Sequence, residues 1–174
     1  LWPNVFYHLR KLSPHFALNI VKTITNAWTT STRMHEKLIY PCIFGCRNCV
    51  DKTEHYIIRE RRWAAVKGAA GKAPAPGLLA KLCLESFSPF AVVRLVTAFY
   101  TYHAIKRGNS YIIFRAYYDE DFSELAAMTK QHAKAAVRAY RNIILVQWDN
   151  VRSKHKNKKC ASAAASSTTP VVAE

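Results

Sequence analysis

The chain has 174 residues, half of them hydrophobic and 12% aromatic, enough apolar material for one ordinary core or two small ones and too much for a wholly disordered chain. Twenty-six Lys and Arg against 11 Asp and Glu leave a net charge of +15, so polyanions are the natural partner class, with nucleic acid ahead of an acidic membrane surface. Apolar runs fall well short of the roughly 20 residues a membrane span needs, and five unevenly spread cysteines without a secretory start exclude a disulfide framework and point to a reducing, nuclear or cytoplasmic compartment.

Along the chain the pattern is mostly helical. Ser13-Pro14 reads as a helix start, with Ser13 as N-cap and Pro14 in the first turn. Ala17, Ile20, Val21, Ile24, Ala27 and Trp28 then recur at helical spacing, which predicts a half-buried helix over 14–30. A Cys-rich stretch follows, stiffened at its start by Pro41. Asp51 and Glu54 have capping-box spacing, which predicts a helix from about Lys52 that carries His55, Ile58 and Trp63 and fades near Gly68. Residues 68–77 form a Gly/Ala/Pro linker.

Beyond the linker, residues 78–85 read as a short helix. Ser88-Pro89 opens a stronger one, with Val92, Leu95, Val96, Phe99 and Tyr102 on one face and Gly108 at its close. The run SYIIFRAYY at 110–118 is β-branched and aromatic, and helix and strand stay open for it. A long helical stretch covers 119–151. The basic, then low-complexity tail of 152–174 is expected to be disordered. The domain reading is therefore a helical region at 1–67 with a knuckle at 42–55, a linker at 68–77, a helical domain at 78–151 and the tail.

The strongest chemical signal is that knuckle. Cys42, Cys46, Cys49 and His55 fall in a C-x3-C-x2-C-x5-H pattern on a Gly-containing turn that runs into a helix. Zinc takes four thiolate or imidazole ligands in a tetrahedron, and a Cys-rich turn followed by a His on the next helix can supply them. Such a zinc ion is structural, because no open coordination position with a neighbouring general base is suggested. The alternative is three small semi-buried thiols beside a solvent-facing imidazole.

A resemblance attaches to these residues. The order Asn26-Ala27-Trp28-Thr29-Thr30-Ser31-Thr32-Arg33-Met34, then Cys42-Ile43-Phe44-Gly45-Cys46, then His55-Tyr56 and Trp63, resembles the C-terminal zinc-binding region of non-LTR retrotransposon reverse transcriptases, above all divergent copies of the protist type. The segment Val96 to Arg107 looks like the helix that follows in those proteins, so the likeness covers about residues 12–108. It implies binding of RNA or DNA with low sequence specificity, beside a polymerase domain upstream of Leu1. Its motif places the fourth ligand at Arg59, which cannot bind zinc. Either Cys49 takes that place, or three ligands remain, or this copy is a non-functional remnant.

No nucleophile–base pair or phosphate-binding loop stands out, and Tyr117-Tyr118-Asp119-Glu120-Asp121 lacks the spacing of a polymerase metal turn. Its carboxylates suit a helix N-terminus instead. The chain is therefore not expected to be an enzyme by itself. Arg59, Arg61, Arg62 and Lys67 follow the knuckle, and Lys130, Lys134, Arg138 and Arg141 recur on one face of the long helix. Cations about 6 Å apart along a helix match the scale of successive phosphates on one strand. A solvated amphipathic face, or a basic helical domain that meets an acidic protein, is the alternative.

Overall fold

The structure, a computed structural model, describes residues 2–58, 60–71, 77–82, 84–85 and 87–166, with the side chains of 2, 4, 61 and 151–166 excepted. Among the described residues there are eight helices and no strand: α1 Trp2–Leu9, α2 Pro14–Ile24, α3 Thr53–Ile58, α4 Glu60–Ala70, α5 Leu78–Lys81, α6 Pro89–Gly108, α7 Ser110–Tyr118 and α8 Ser123–Ser166. The mostly α expectation holds. The open stretch SYIIFRAYY is helical, because no neighbouring strand offers its backbone a ladder and α7 instead packs against α6 and α8.

Helix α6 is the spine. Both Ser-Pro pairs start helices, but only Ser88 caps with its side chain, accepting a hydrogen bond from Ala91 N at 3.2 Å. Ser13 instead donates its backbone N–H to Gln147 Oε1 of α8 at 3.0 Å, which ties α2 to the last helix. Helix α6 buries residues all round its girth, as a helix surrounded by others must. Its first half joins Val5, Leu9, Phe16, Ile20, Trp63, Val66, Ile144 and Trp148 in one apolar cluster. Its second half joins Trp28, Cys42, Ile43, Phe44, Tyr56, Ile113 and Leu125 in another. Both clusters draw on residues from either side of 68–77.

Several boundaries differ from the sequence expectation. Helix α2 stops at Ile24, because Asn26 takes a left-handed backbone (φ 56°) that ends the helical hydrogen bonding. Trp28 is therefore outside the helix, fully buried, with its indole N–H donating to Thr23 Oγ1 at 2.9 Å. The expected helix from Lys52 is present as α3 and α4, and Arg59 between them lies outside the described residues. Only Leu78–Lys81 of the short helix expected at 78–85 is helical. Helix α8 runs on to Ser166, where the sequence boundary stood at Val151; no Pro or Gly interrupts this stretch, and its alanines favour helix. Residues 167–174 of the expected tail lie outside the described residues.

Asp51 is not a helix cap. It is fully buried, and its carboxylate gathers the loop before it, α3 and α6. Oδ1 accepts from Tyr56 Oη at 2.7 Å and Tyr102 Oη at 3.0 Å, and Oδ2 accepts from Ser31 N at 2.6 Å. Lys106 Nζ stands 3.5 Å from Oδ2 and 2.8 Å from Glu36, and supplies the countercharge. Burial first, and then the charge of Asp51, push both phenols well above their ordinary range, so they stay protonated as donors. Asp51→Ala strands Lys106 and two phenols; it is expected to cost about 3 kcal/mol of stability, read from the urea midpoint at unchanged m-value.

Candidate metal centre and basic surface

The knuckle is a tight antiparallel turn. Pro41 and Val50 form an isolated bridge, with Cys42 N donating to Cys49 O at 2.8 Å and Asp51 N donating to Tyr40 O at 2.9 Å. At its tip Gly45 N donates to Cys42 O at 3.0 Å, and Gly45 has φ +74°, a conformation that side chains resist. A Cβ there would also meet Phe122 Cδ1 at 2.8 Å, so Gly45 is fixed by space as well as by backbone. From α7, Tyr117 Oη donates to the carbonyls of Cys42 and Cys46, 2.8 Å from each.

This cradle brings three of the four expected ligands together. Cys42 Sγ, Cys46 Sγ and a ring nitrogen of His55 all lie within 4.8 Å of one another. His55 reaches in from the short helix α3, with Nε2 3.2 Å from Cys42 Sγ. Cys49 is not in the group, although it is a free half-buried thiol packed against the same cluster. It sits opposite Cys42 across the bridge, where its backbone carbonyl is already engaged. Two thiols and an imidazole are a donor set of the borderline-soft kind that suits zinc.

Burial pushes the Cys42 thiol up to about 12, against the opposing pull of the Cys46 and Phe44 backbone N–H groups aimed at its sulfur. Those amides are oriented for a thiolate, which is the form that binds metal. Without metal, Cys42 is protonated at neutral pH.

The basic residues named from sequence divide sharply. Arg62 is 1% exposed and is no surface contact: its guanidinium carbon lies 5.1 Å from the Trp28 ring centroid and 4.0 Å from that of Trp63. The indoles of Trp28, from the loop after α2, and of its own neighbour Trp63 draw it inward, and burial lowers it to about 9. Lys67 is exposed on α4. Arg59 and the side chain of Arg61 lie outside the described residues. Lys130, Lys134, Arg138 and Arg141 are all exposed on α8, and none pairs with a described carboxylate. The face beside them buries Leu125, Ala133, Val137, Ile144 and Trp148.

Asp119, Glu120 and Asp121 lie in the turn between α7 and α8. Glu120 pairs with Arg47 at 3.0 Å, and Asp121 Oδ1 accepts from Ser123 N at 2.9 Å, which holds the start of α8. That bond keeps the Asp121 carboxyl below its ordinary range. Sequence reasoning missed Tyr117 and Phe122, the two groups that shape the knuckle from some 70 residues away; nothing in the local pattern pairs them with Gly45. No helix among the described residues is long and apolar enough to cross a membrane.

Comparison with protein-family models, with curated proteins and with solved structures returns no match for this chain.

Gly45→Ala is expected to destabilise the fold by about 2 kcal/mol, since it combines left-handed strain with a clash against Phe122. In the metal-free protein at neutral pH, an alkylating reagent is expected to modify half-buried Cys46 and Cys49 well before Cys42, as mass spectrometry of the timed digest would show.

Proposed function

We propose that this chain is a nucleic-acid-binding accessory segment of the retroelement reverse-transcriptase type, in which the knuckle holds a structural zinc ion. The observation that carries the binding reading is the exposed row of Lys130, Lys134, Arg138 and Arg141 along α8, free of described carboxylate partners in a chain of net charge +15. A long helix presents these charges at a fixed spacing, so several phosphates can be engaged at once without ordering a flexible segment. Contacts of this kind go to phosphates, which carry no base information, so low sequence specificity follows, with RNA and DNA both substrates for contact. The chain performs no polymerisation; it works beside an upstream polymerase domain in a nuclear or cytoplasmic setting.

Zinc is supported by the Cys42, Cys46 and His55 group, with Cys49 as the fourth ligand after a local adjustment of the turn. Uptake displaces the thiol protons, so zinc affinity falls as pH drops. A second reading, an eroded remnant of such an element, draws on Cys49 standing outside the group. Metal analysis separates them: the proposal expects about one zinc per chain with sulfur at about 2.3 Å by X-ray absorption, and a metal-free chain indifferent to chelators favours the remnant.

Replacing Lys130, Lys134, Arg138 and Arg141 together by Gln is expected to weaken RNA and DNA binding by a similar factor for unrelated sequences. The slope of log affinity against log salt should flatten by up to about 3. Unchanged affinity would reduce the row to a solvated helix face. Template-dependent DNA synthesis by the purified chain would overturn the non-catalytic part of the proposal.

A further inference from the structure

Between α2 and α6 lies a recess of about 780 Å³. That volume accommodates a ligand of nucleotide size. Lys22 stands at its wall from the last turn of α2, and Lys106 and Arg107 from the last turn of α6. Lys106 is already committed to Glu36 and Asp51. Lys22 and Arg107 have no carboxylate partner among the described residues. Helix ends favour cations near their C-termini, but that accounts for neither their convergence on one concavity nor their lack of a counterion.

A third group lines the same recess. His103 Nε2 is buried and has no hydrogen-bond partner, while its ring is held 4.2 Å from that of Phe99 by centroids. Burial first, then Arg107, Lys22 and Lys106, lower the imidazole to about 4, so it is neutral at ordinary pH. The recess is thus lined by three cations against the one carboxylate of Glu36, and by a polar atom that lacks a partner. On its rim Leu18 and Met34 are 51% and 54% exposed, an apolar ledge beside the cationic wall.

We propose that this recess binds a nucleoside phosphate, with the phosphate bridged by Lys22 and Arg107 beside the His103 ring, and the nucleoside against Leu18 and Met34. As one unit of a bound strand, the phosphate rests on the nucleic-acid reading above; as a free nucleotide, it does not. Charge-assisted hydrogen bonds from two cations are the strong kind, and a neutral imidazole beside them adds no further repulsion between cations.

The test uses the full chain and three probes: a short single-stranded oligonucleotide, a nucleoside monophosphate and inorganic phosphate. Binding is read by fluorescence or calorimetry, and the His103 imidazole signal is followed by NMR. Lys22→Glu and Arg107→Glu are each expected to weaken the strand about tenfold, and to abolish the His103 shift. Arg10→Glu, the same charge change at an exposed site outside the recess, should weaken it far less, and Lys22→Arg should bind nearly as the parent does. If the strand binds but all three charge reversals act alike and His103 does not respond, the recess proposal is overturned while nucleic-acid binding stands. If no strand binds but the monophosphate shifts His103 and loses that effect in Lys22→Glu, the recess is a free-nucleotide site and the strand reading fails. Silence of His103 toward all three probes overturns the proposal.

Discussion

A carboxylate with no access to water organises this fold. Asp51 cannot be buried as an anion unless every lone pair finds a donor and the charge finds a counterion, because desolvation alone costs several kcal/mol. Its donors come from Ser31 in the loop, Tyr56 on α3 and Tyr102 on α6, and its counterion from Lys106 on α6. The loop that carries the knuckle is thereby anchored on the spine helix through one side chain. Because Asp51 N also closes the bridge onto Tyr40 O, the turn bearing Cys42 takes its position from the same anchor.

Around that anchor the knuckle is shaped from both sides. Cys42 and Ile43 face the second apolar cluster, while Tyr117 and Phe122, at the end of α7 and the start of α8, close over the backbone of the tip. The sulfur of Cys42 is inside; Cys46 and His55 are half-buried at the margin. A metal ion held there would link the loop to α3 at the boundary of the core, adding cohesion where the chain has little regular structure.

Charge is sorted by the company each cation keeps. Arg62 lies between two indoles, where the ring faces attract the guanidinium although none of its nitrogens has a hydrogen-bond partner. At about 9 it is still protonated at neutral pH, so it is a buried cation and not a surface contact. On α8 the four cations stand beside the buried stripe of Leu125, Ala133, Val137 and Ile144 and turn to solvent. The two helices follow the same rule with opposite outcomes, because α4 meets Trp28 where α8 meets water.

Much of the helical content was legible in sequence. Ser-Pro starts, 3.6-residue apolar periodicity and the absence of Pro or Gly in the last long stretch are local signals, and α2, α6 and α8 follow from them with shifted ends. So did the nearness of Cys42, Cys46 and His55, since a short turn before a helix can bring such residues together without distant help. What sequence could not determine was set by contacts between remote segments. Asp51 had the spacing of a helix cap, and only the arrival of Tyr102 and Lys106 from α6 made it a buried hub. Arg62 looked like one of a basic run, and only the position of Trp28, some 30 residues earlier, placed it inside. The run at 110–118 had β-branched and aromatic character, yet tertiary packing beside α6 and α8 made it a helix, since a lone strand would leave its backbone hydrogen bonds unmet. Local chemistry specified the elements; the partners of buried polar and charged groups decided how they were used.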